Sequence, residues 1–435
     1  MIQLKIDERL TGTSDMYIYV IKFKLNVERL HEMSETYRIH RIKENWGIII
    51  AIIFIASTLR APLTSVGPVV SEITKVLQVS DSVAGSLITI PLLIFAIVSP
   101  LVSKVTAHLS VSRTILLSTL LLSVALIIRV IGDINIFLLG TVLLGIGIAF
   151  GNVLLPSFVK WYFPTQIGVA TGIYSATMHF TAGIGGGLSF PLSTISPLSF
   201  RISLSVWFIL AIIAIILWLP KAVHVFHLEK ATKQQNRTTT HCNKNVFKSK
   251  LSWMIAITMG FQSMIVYTVV AWVPSILMDR GIDPSTAGYL FMINQFAQVP
   301  MTFTFPIIAD KLKDQRILVF IVSFLFLIGF SLLFSHTFIL LVIGVIISGL
   351  AMGACFSLCM TFFSIRARTS DGSVSLSGFG QSLGYFIGAM GPICVGFTYD
   401  ASGGWQIGII SLIVMSLLFA VFGYFAAENK VIEDE

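Results

Sequence analysis

Residues 337–362 read TFILLVIGVIISGLAMGACFSLCMTF, twenty-six positions without one charged side chain. A bilayer core is crossed by about 20 mostly apolar residues in a helix. The run is continuous rather than alternating in polarity, so it reads as a membrane helix and not as a barrel strand. Working outward, the same pattern recurs at 46–70, 82–103, 113–132, 135–158, 166–190, 202–219, 251–277, 285–309, 316–335, 372–398 and 405–426, which makes twelve spans, numbered 1 to 12 in chain order. The expected fold class is an all-α membrane protein with twelve transmembrane helices.

Composition agrees. Of 435 residues, 55% are hydrophobic and 11% charged, against about 25% charged in a soluble domain. An ordinary globular enzyme is excluded, and so is a disordered chain, which needs low hydrophobicity and high net charge. The net charge of +8 has a topological explanation. Nineteen Lys and Arg fall on the side of the N-terminus, among them Arg38, Lys104, Lys160, seven in the 6–7 loop, Lys311, Arg366 and Lys430. Four fall on the other side: Lys75, Arg129, Arg201 and Arg280. Positive charge stays inside, so both termini are expected in the cytoplasm, the chain in the plasma membrane, and nucleic acid is no partner.

Residues 1–45 are polar and lack a signal-peptide apolar region. They read as a cytoplasmic tail, or, if Met33 is the natural start, as a product of gene prediction or cloning. The longest polar stretch between spans, 220–250, divides a bundle over 46–219 from a second over 251–426, followed by a tail at 427–435. The halves repeat. Pro68 and Pro274, Pro100 and Pro306, and Gly172 and Gly378 are each 206 apart; Arg113 and Arg316, and the Ser-x-Ala-Gly openings at Ser82 and Ser285, are 203 apart. Five matches near one offset argue for a parallel duplication, the arrangement of major facilitator transporters, in which two bundles rock about a midplane site. Asp310, Lys311 and Arg316 resemble the 8–9 loop signature of that superfamily; Lys104, His108 and Arg113 form a degraded first copy.

Glycines four apart (Gly147 and Gly151, Gly183 and Gly187, Gly349 and Gly353, Gly380, Gly384 and Gly388) allow close helix approach. That is either static packing or a pair of faces, on spans 5 and 11, that close against the other half. The Gly185-Gly186-Gly187 run points to a flexible segment in span 5.

Ionisable groups deep in a membrane helix cost roughly 2.5–3.5 kcal/mol on the insertion scale. Arg60 lies fourteen residues into span 1, about 21 Å along the helix axis. Arg129 is near the outer end of span 3, where Asp133 could pair with it, and His179 is mid-span 5. No Asp or Glu is mid-span. Arg60 therefore lacks an evident counter-ion, and a small anion could supply one: a pair 4 Å apart gains roughly 4 kcal/mol at an effective dielectric of about 20, before desolvation. The alternative is a structural Arg60 that bonds helix carbonyls or snorkels. His179 is either a packed residue or the internal group that titrates near neutrality, with a coupling proton as a candidate partner; uniport, exchange and symport all stay open. Asn152, Gln262, Tyr267, Trp272, Gln295, Gln381 and Tyr385 complete the candidate substrate-binding set, since amides facing lipid would go unsatisfied.

Several motifs together resemble one family. Arg60-Ala61-Pro62-Leu63-Thr64-Ser65-Val66-Gly67-Pro68 is similar to the first-helix signature of the cyanate/nitroimidazole transporters, a branch of the major facilitators. Gly151-Asn152-Val153-Leu154-Leu155-Pro156 resembles its fourth helix, Thr171-Gly172-Ile173-Tyr174-Ser175 its fifth, and Gln262-Ser263, Tyr267 and Trp272-Val273-Pro274 its seventh. Ser377-Gly378, Gln381-Ser382, Gly384-Tyr385, Gly391-Pro392 and Trp405 resemble the last two. The similarity covers residues 45–426. It implies a secondary transporter for a small solute such as cyanate or a nitroimidazole, acting as a monomer, with Arg60, Asn152, Gln262, Tyr267, Gln381 and Tyr385 at its cavity. A multidrug or toxic-compound exporter of the same fold is the alternative. No P-loop or HExxH motif supports an enzyme or an ATP-driven pump, and no cofactor is expected. His224, His227, His241 and Cys242 fit no common zinc spacing, and Cys355 and Cys359 read as small packing thiols.

Overall fold

A computed structural model describes residues 42–78, 81–195, 200–235 and 246–434. Residues 1–41 of the expected tail over 1–45, with Met33, and the loop residues His241 and Cys242 lie outside the described residues. Everything described is helix, turn or connecting coil. Spans 2 to 5 are Asp81–His108, Val111–Ile131, Ile134–Tyr162 and Ile167–Thr194. Span 6 is a short Phe200–Ser205 segment followed by Trp207–Gln235. Spans 7 to 12 are Lys250–Asp279, Pro284–Lys311, Arg316–Leu332, Phe338–Ile365, Ser370–Ser402 and Gln406–Ala426. Among the described residues, eight helical segments, including span 1, are long and apolar enough to cross a membrane. Span 9 is apolar but shorter. Spans 5, 8 and 11 are long helices diluted by Gly, Ser, Asn and Gln, and these three line the contact between the halves.

Polar residues set where the spans start. Ser110, Asp133, Ser249, Asp283 and Thr369 accept hydrogen bonds from the backbone N–H groups of Arg113, Ile136, Ser252, Thr286 and Gly372, satisfying donors that a helix N-terminus leaves free. The outer surface is greasy: Ile97, Ile216, Phe324, Ile339 and Phe397 are all more than 60% exposed. Water would penalise such a surface, whereas lipid accepts it.

Two features differ from the sequence reading. Span 6 runs past 219 to Gln235 as one helix. Ser112, at the start of span 3, holds this extension: its N–H and hydroxyl both donate to Glu229, and its carbonyl accepts from the Trp218 indole. The glycine run in span 5 does not interrupt its helix. It lies instead against Ala61 and Thr64, in span 1, where the chain does break.

The halves meet through spans 5 and 8 and through spans 2 and 11. The repeat-related glycines sit at the two contacts. A Cβ on Gly172 would fall 2.5 Å from the Phe303 carbonyl oxygen, and one on Gly378 would fall 2.7 Å from that of Ser99. No side chain fits at either place, so the backbones touch. Further hydrogen bonds join the halves on the side that carries the start of span 1 and the end of span 12. Gly168 N–H donates to Asp310 (3.0 Å), Lys160 to the Ser364 carbonyl (2.8 Å), Ser364 Oγ to the Pro156 carbonyl (3.0 Å), and Ser157 and Ser373 share a bond (3.2 Å). Residues 428–434 fold back here: Ile432 N–H donates to the Arg366 carbonyl, and Glu433 accepts from Arg368 N–H at 2.9 Å.

Candidate functional site between the halves

The first span is not one helix. Trp46–Thr58 ends, and Arg60, at φ −123° and ψ −46°, leads a short helix Ala61–Thr64 with Pro62 in its first turn. A turn over Gly67–Val69 and a helix Val70–Leu77 follow. Pro62 has no N–H to give to the Thr58 carbonyl, and its ring crowds that carbonyl, so the ladder ends at Thr58 and resumes only after Arg60. Backbone groups freed inside a membrane need protein partners. Spans 3 and 5 supply them: Arg129 donates to the Pro62 carbonyl at 3.0 Å, and Ser189 Oγ donates to that of Ser65. Thr64 Oγ1 in turn donates to the Ala182 carbonyl at 2.9 Å.

The break presents Arg60 to the other half. Its guanidinium lies 4.9 Å from the centre of the Phe356 ring of span 10. His179 of span 5 meets the same ring edge-on at 5.0 Å. Tyr267 of span 7 lies beside Arg60, and its ring centroid is 6.4 Å from that of Tyr385. Tyr385 packs on Phe95 at 5.0 Å and accepts from Asn152 Nδ2 at 3.4 Å. Gln381 Nε2 donates to the Asn152 carbonyl at 3.0 Å and to Ser377 Oγ at 2.8 Å. Side chains of spans 1, 2, 4 and 5 thus meet those of 7, 10 and 11.

Among the described residues no carboxylate pairs with Arg60. The ion pairs found are Arg280–Asp279, Arg316–Asp314, Arg316–Glu428, Arg368–Asp434 and Lys430–Glu428, all at span ends or beyond. Arg60 Nε, His179 Nε2 and Gln381 Oε1 are buried without a hydrogen-bond partner. A desolvated cation–π contact gives about 2 kcal/mol. That is less than the roughly 4 kcal/mol of an ion pair at 4 Å, so an arriving anion has the stronger claim on the guanidinium.

Of the ten expected substrate-binding residues, Arg60, Asn152, His179, Tyr267, Gln381 and Tyr385 come together. Four have partners elsewhere. Arg129 is 2% exposed and its fork is turned to Pro62. It does not pair with Asp133, whose side chain caps span 4 at Ile136 N–H. Gln262 accepts from neighbouring Ser263 Oγ at 3.3 Å. Trp272 donates to the Pro392 carbonyl at 2.8 Å and packs against Trp405, tying spans 7, 11 and 12. Gln295 accepts from Gln298 Nε2 at 3.0 Å, one turn along its own helix. Sequence reasoning missed Phe356 and Phe95. The available signal for Phe356 was a lone ring within the small-residue run Gly353-Ala354-Cys355-Phe356-Ser357.

Comparisons with known proteins point the same way. Residues 47–389 match the family model of the Major Facilitator Superfamily. The chain is 37% identical over 395 residues to an uncharacterized transporter of Bacillus subtilis, covering 90% of this chain and 96% of that protein. It is 31% identical to the 2-nitroimidazole transporter of Escherichia coli over 88% of this chain and 96% of that one. It is 24% identical to the cyanate transport protein of the same organism, over 86% and 97%. A solved proton:xylose symporter superposes with a TM-score of 0.69 at 13% identity, covering 89% of this chain and 97% of its own, which establishes the fold alone. The duplicated helical architecture, the matched family model and these relatives make the chain a membrane transporter of the major facilitator superfamily, in the branch that contains the 2-nitroimidazole and cyanate transporters.

Proposed function

We propose that the protein is a secondary active transporter that carries a small planar anion, or a planar solute with anion-like oxygens, across the plasma membrane by alternating access. The observation that carries this reading is the guanidinium of Arg60, held by a broken helix between the halves, faced by Phe356, Tyr267 and Tyr385 and by no acidic side chain among the described residues. Arg offers a planar donor fork suited to carboxylate-like or nitro oxygens, and the rings can stack on a flat solute. Arg60 is the anchor, with Tyr267, Tyr385, Asn152 and Gln381 around it. The two bundles, 46–219 and 251–426, rock about this point. Hydrogen bonds concentrated on the side of the termini belong to a state closed there; the positive charge on that side makes it the cytoplasmic one.

The relatives named for cyanate and 2-nitroimidazole supply the first substrates to try. Purified protein in liposomes, preloaded with unlabelled compound, should exchange external labelled cyanate or 2-nitroimidazole at low concentration, and Arg60→Ala at the same concentration should not. Equal exchange by wild type and variant removes the anchoring role. Movement of cationic toxicants instead would favour an exporter of the same fold.

A further inference from the structure

We infer that His179 is the proton-carrying group of this transporter, and that a proton joins His179 only once an anion has docked on Arg60, so that the two cross together without net charge. The inference rests on the anion reading above. Its basis is geometric. Arg60 and His179 lie against one ring, Phe356, at 4.9 and 5.0 Å. His179 is 6% exposed, and its Nε2 has no hydrogen-bond partner. The buried ring nitrogen is therefore free to take a proton.

The surroundings leave Arg60 as the charge that governs it. Span 5 packs on spans 1, 4, 6, 8 and 10. Span 1 brings Arg60. Span 4 brings no titratable side chain between Ile134 and Val159, and span 8 brings Tyr289, which is 64% exposed. Span 10 brings the thiols Cys355 and Cys359, which interact with each other. The short segment of span 6 brings Arg201, which donates to the Gly132 carbonyl. Across the site stand the phenols Tyr267 and Tyr385. Two carboxylates bond span 5 near its ends, Asp310 at Gly168 and Glu72 at Ser193, eleven and fourteen residues from His179.

Two positive charges on one ring in a low-dielectric site repel. A docked anion cancels the guanidinium charge and removes that repulsion. Nε2 can then take a proton from water on the entry side. On the exit side the anion leaves, the repulsion returns and the proton departs to water. Empty and loaded sites carry the same single positive charge. This is how a carrier without a mid-membrane carboxylate can couple to protons.

The test uses liposomes containing the purified full chain and labelled nitrate, thiocyanate and benzenesulfonate, anions of strong acids that do not cross lipid as neutral molecules, with an interior one pH unit more alkaline than the medium. Wild type should accumulate the transported anion about tenfold at steady state and should exchange it without a gradient. Accumulation at steady state is independent of rate, so His179→Gln should level at a ratio of one even if it is slow. Calorimetry of anion binding in two buffers of different ionisation enthalpy should count close to one proton taken up per anion by wild type and none by His179→Gln, which decides the matter if that variant does not transport. Wild type that exchanges an anion but ignores the gradient, or His179→Gln that accumulates or takes up protons like wild type, overturns the coupling and leaves the anion reading intact. No exchange of any of the three anions by wild type overturns both.

Discussion

The guanidinium of Arg60 lies over the ring of Phe356, 4.9 Å from its centre, and that contact joins the first half of the chain to the second. One residue stands at a break in span 1 and the other in the middle of span 10. The contact gives the cation a neutral partner that an anion can displace.

Replacement of Arg60 should therefore separate charge from shape. Arg60→Lys keeps the charge but loses the planar fork, and Arg60→Ala loses both. We expect apparent affinity for the transported anion to fall about tenfold in the first and by about 100-fold or more in the second, given roughly 4 kcal/mol for the pair before desolvation. Concentration-dependent exchange in liposomes measures both.

Arg129 should act on the same site from a distance. Its hydrogen bond to the Pro62 carbonyl holds the broken segment two residues from Arg60, while its Nε and Nη2 are buried without partners. Arg129→Met keeps the volume and removes both the bond and an uncompensated buried charge. A hydrogen bond to a charged group is worth about 1.5–3 kcal/mol, and relief of the charge offsets much of that. The expectation is a thermal midpoint within a few degrees of wild type with anion affinity about tenfold weaker. Scanning fluorimetry and exchange assays on one preparation check both.

The paired glycine contacts predict matched defects. Gly172→Val and Gly378→Val each place atoms where the Phe303 and Ser99 carbonyls now sit, within 2.7 Å of the new Cβ. Each variant should hold the halves apart and slow exchange by about tenfold or more, as overpacking costs typically 1–3 kcal/mol. Maleimide labelling of a Ser373→Cys reporter in inside-out vesicles should rise in both backgrounds.

Asp310 bonds the first turn of span 5 from the end of span 8. A carboxylate at a helix N-terminus is worth about 0.3–1 kcal/mol when exposed. Asp310→Asn should therefore raise labelling of the same reporter several-fold while leaving anion affinity unchanged. Altered affinity with unchanged labelling would contradict a gating role.

The sequence reading located the candidate site unevenly. Arg60 and His179 stood out because charge and imidazole are scarce in apolar spans. Asn152, Tyr267, Gln381 and Tyr385 came from polarity and family motifs. Gln262, Trp272 and Gln295 met the same criteria yet turn to neighbours on their own or adjoining helices. Phe356 was passed over as one Phe among thirty-three, its one mark being the small residues that flank it.

By itself the sequence determined the membrane class, the spans, the duplication and the charge asymmetry. Each of these is a sum over neighbouring residues or a fixed offset along the chain. Only the tertiary structure decided that Arg60 stands at a helix break clamped from spans 3 and 5, that Arg129 braces this break, and that Phe356 covers the guanidinium from 296 residues away. A helix's hydropathy is set locally, but which way a polar side chain turns depends on which backbone carbonyls and rings the other helices bring within reach.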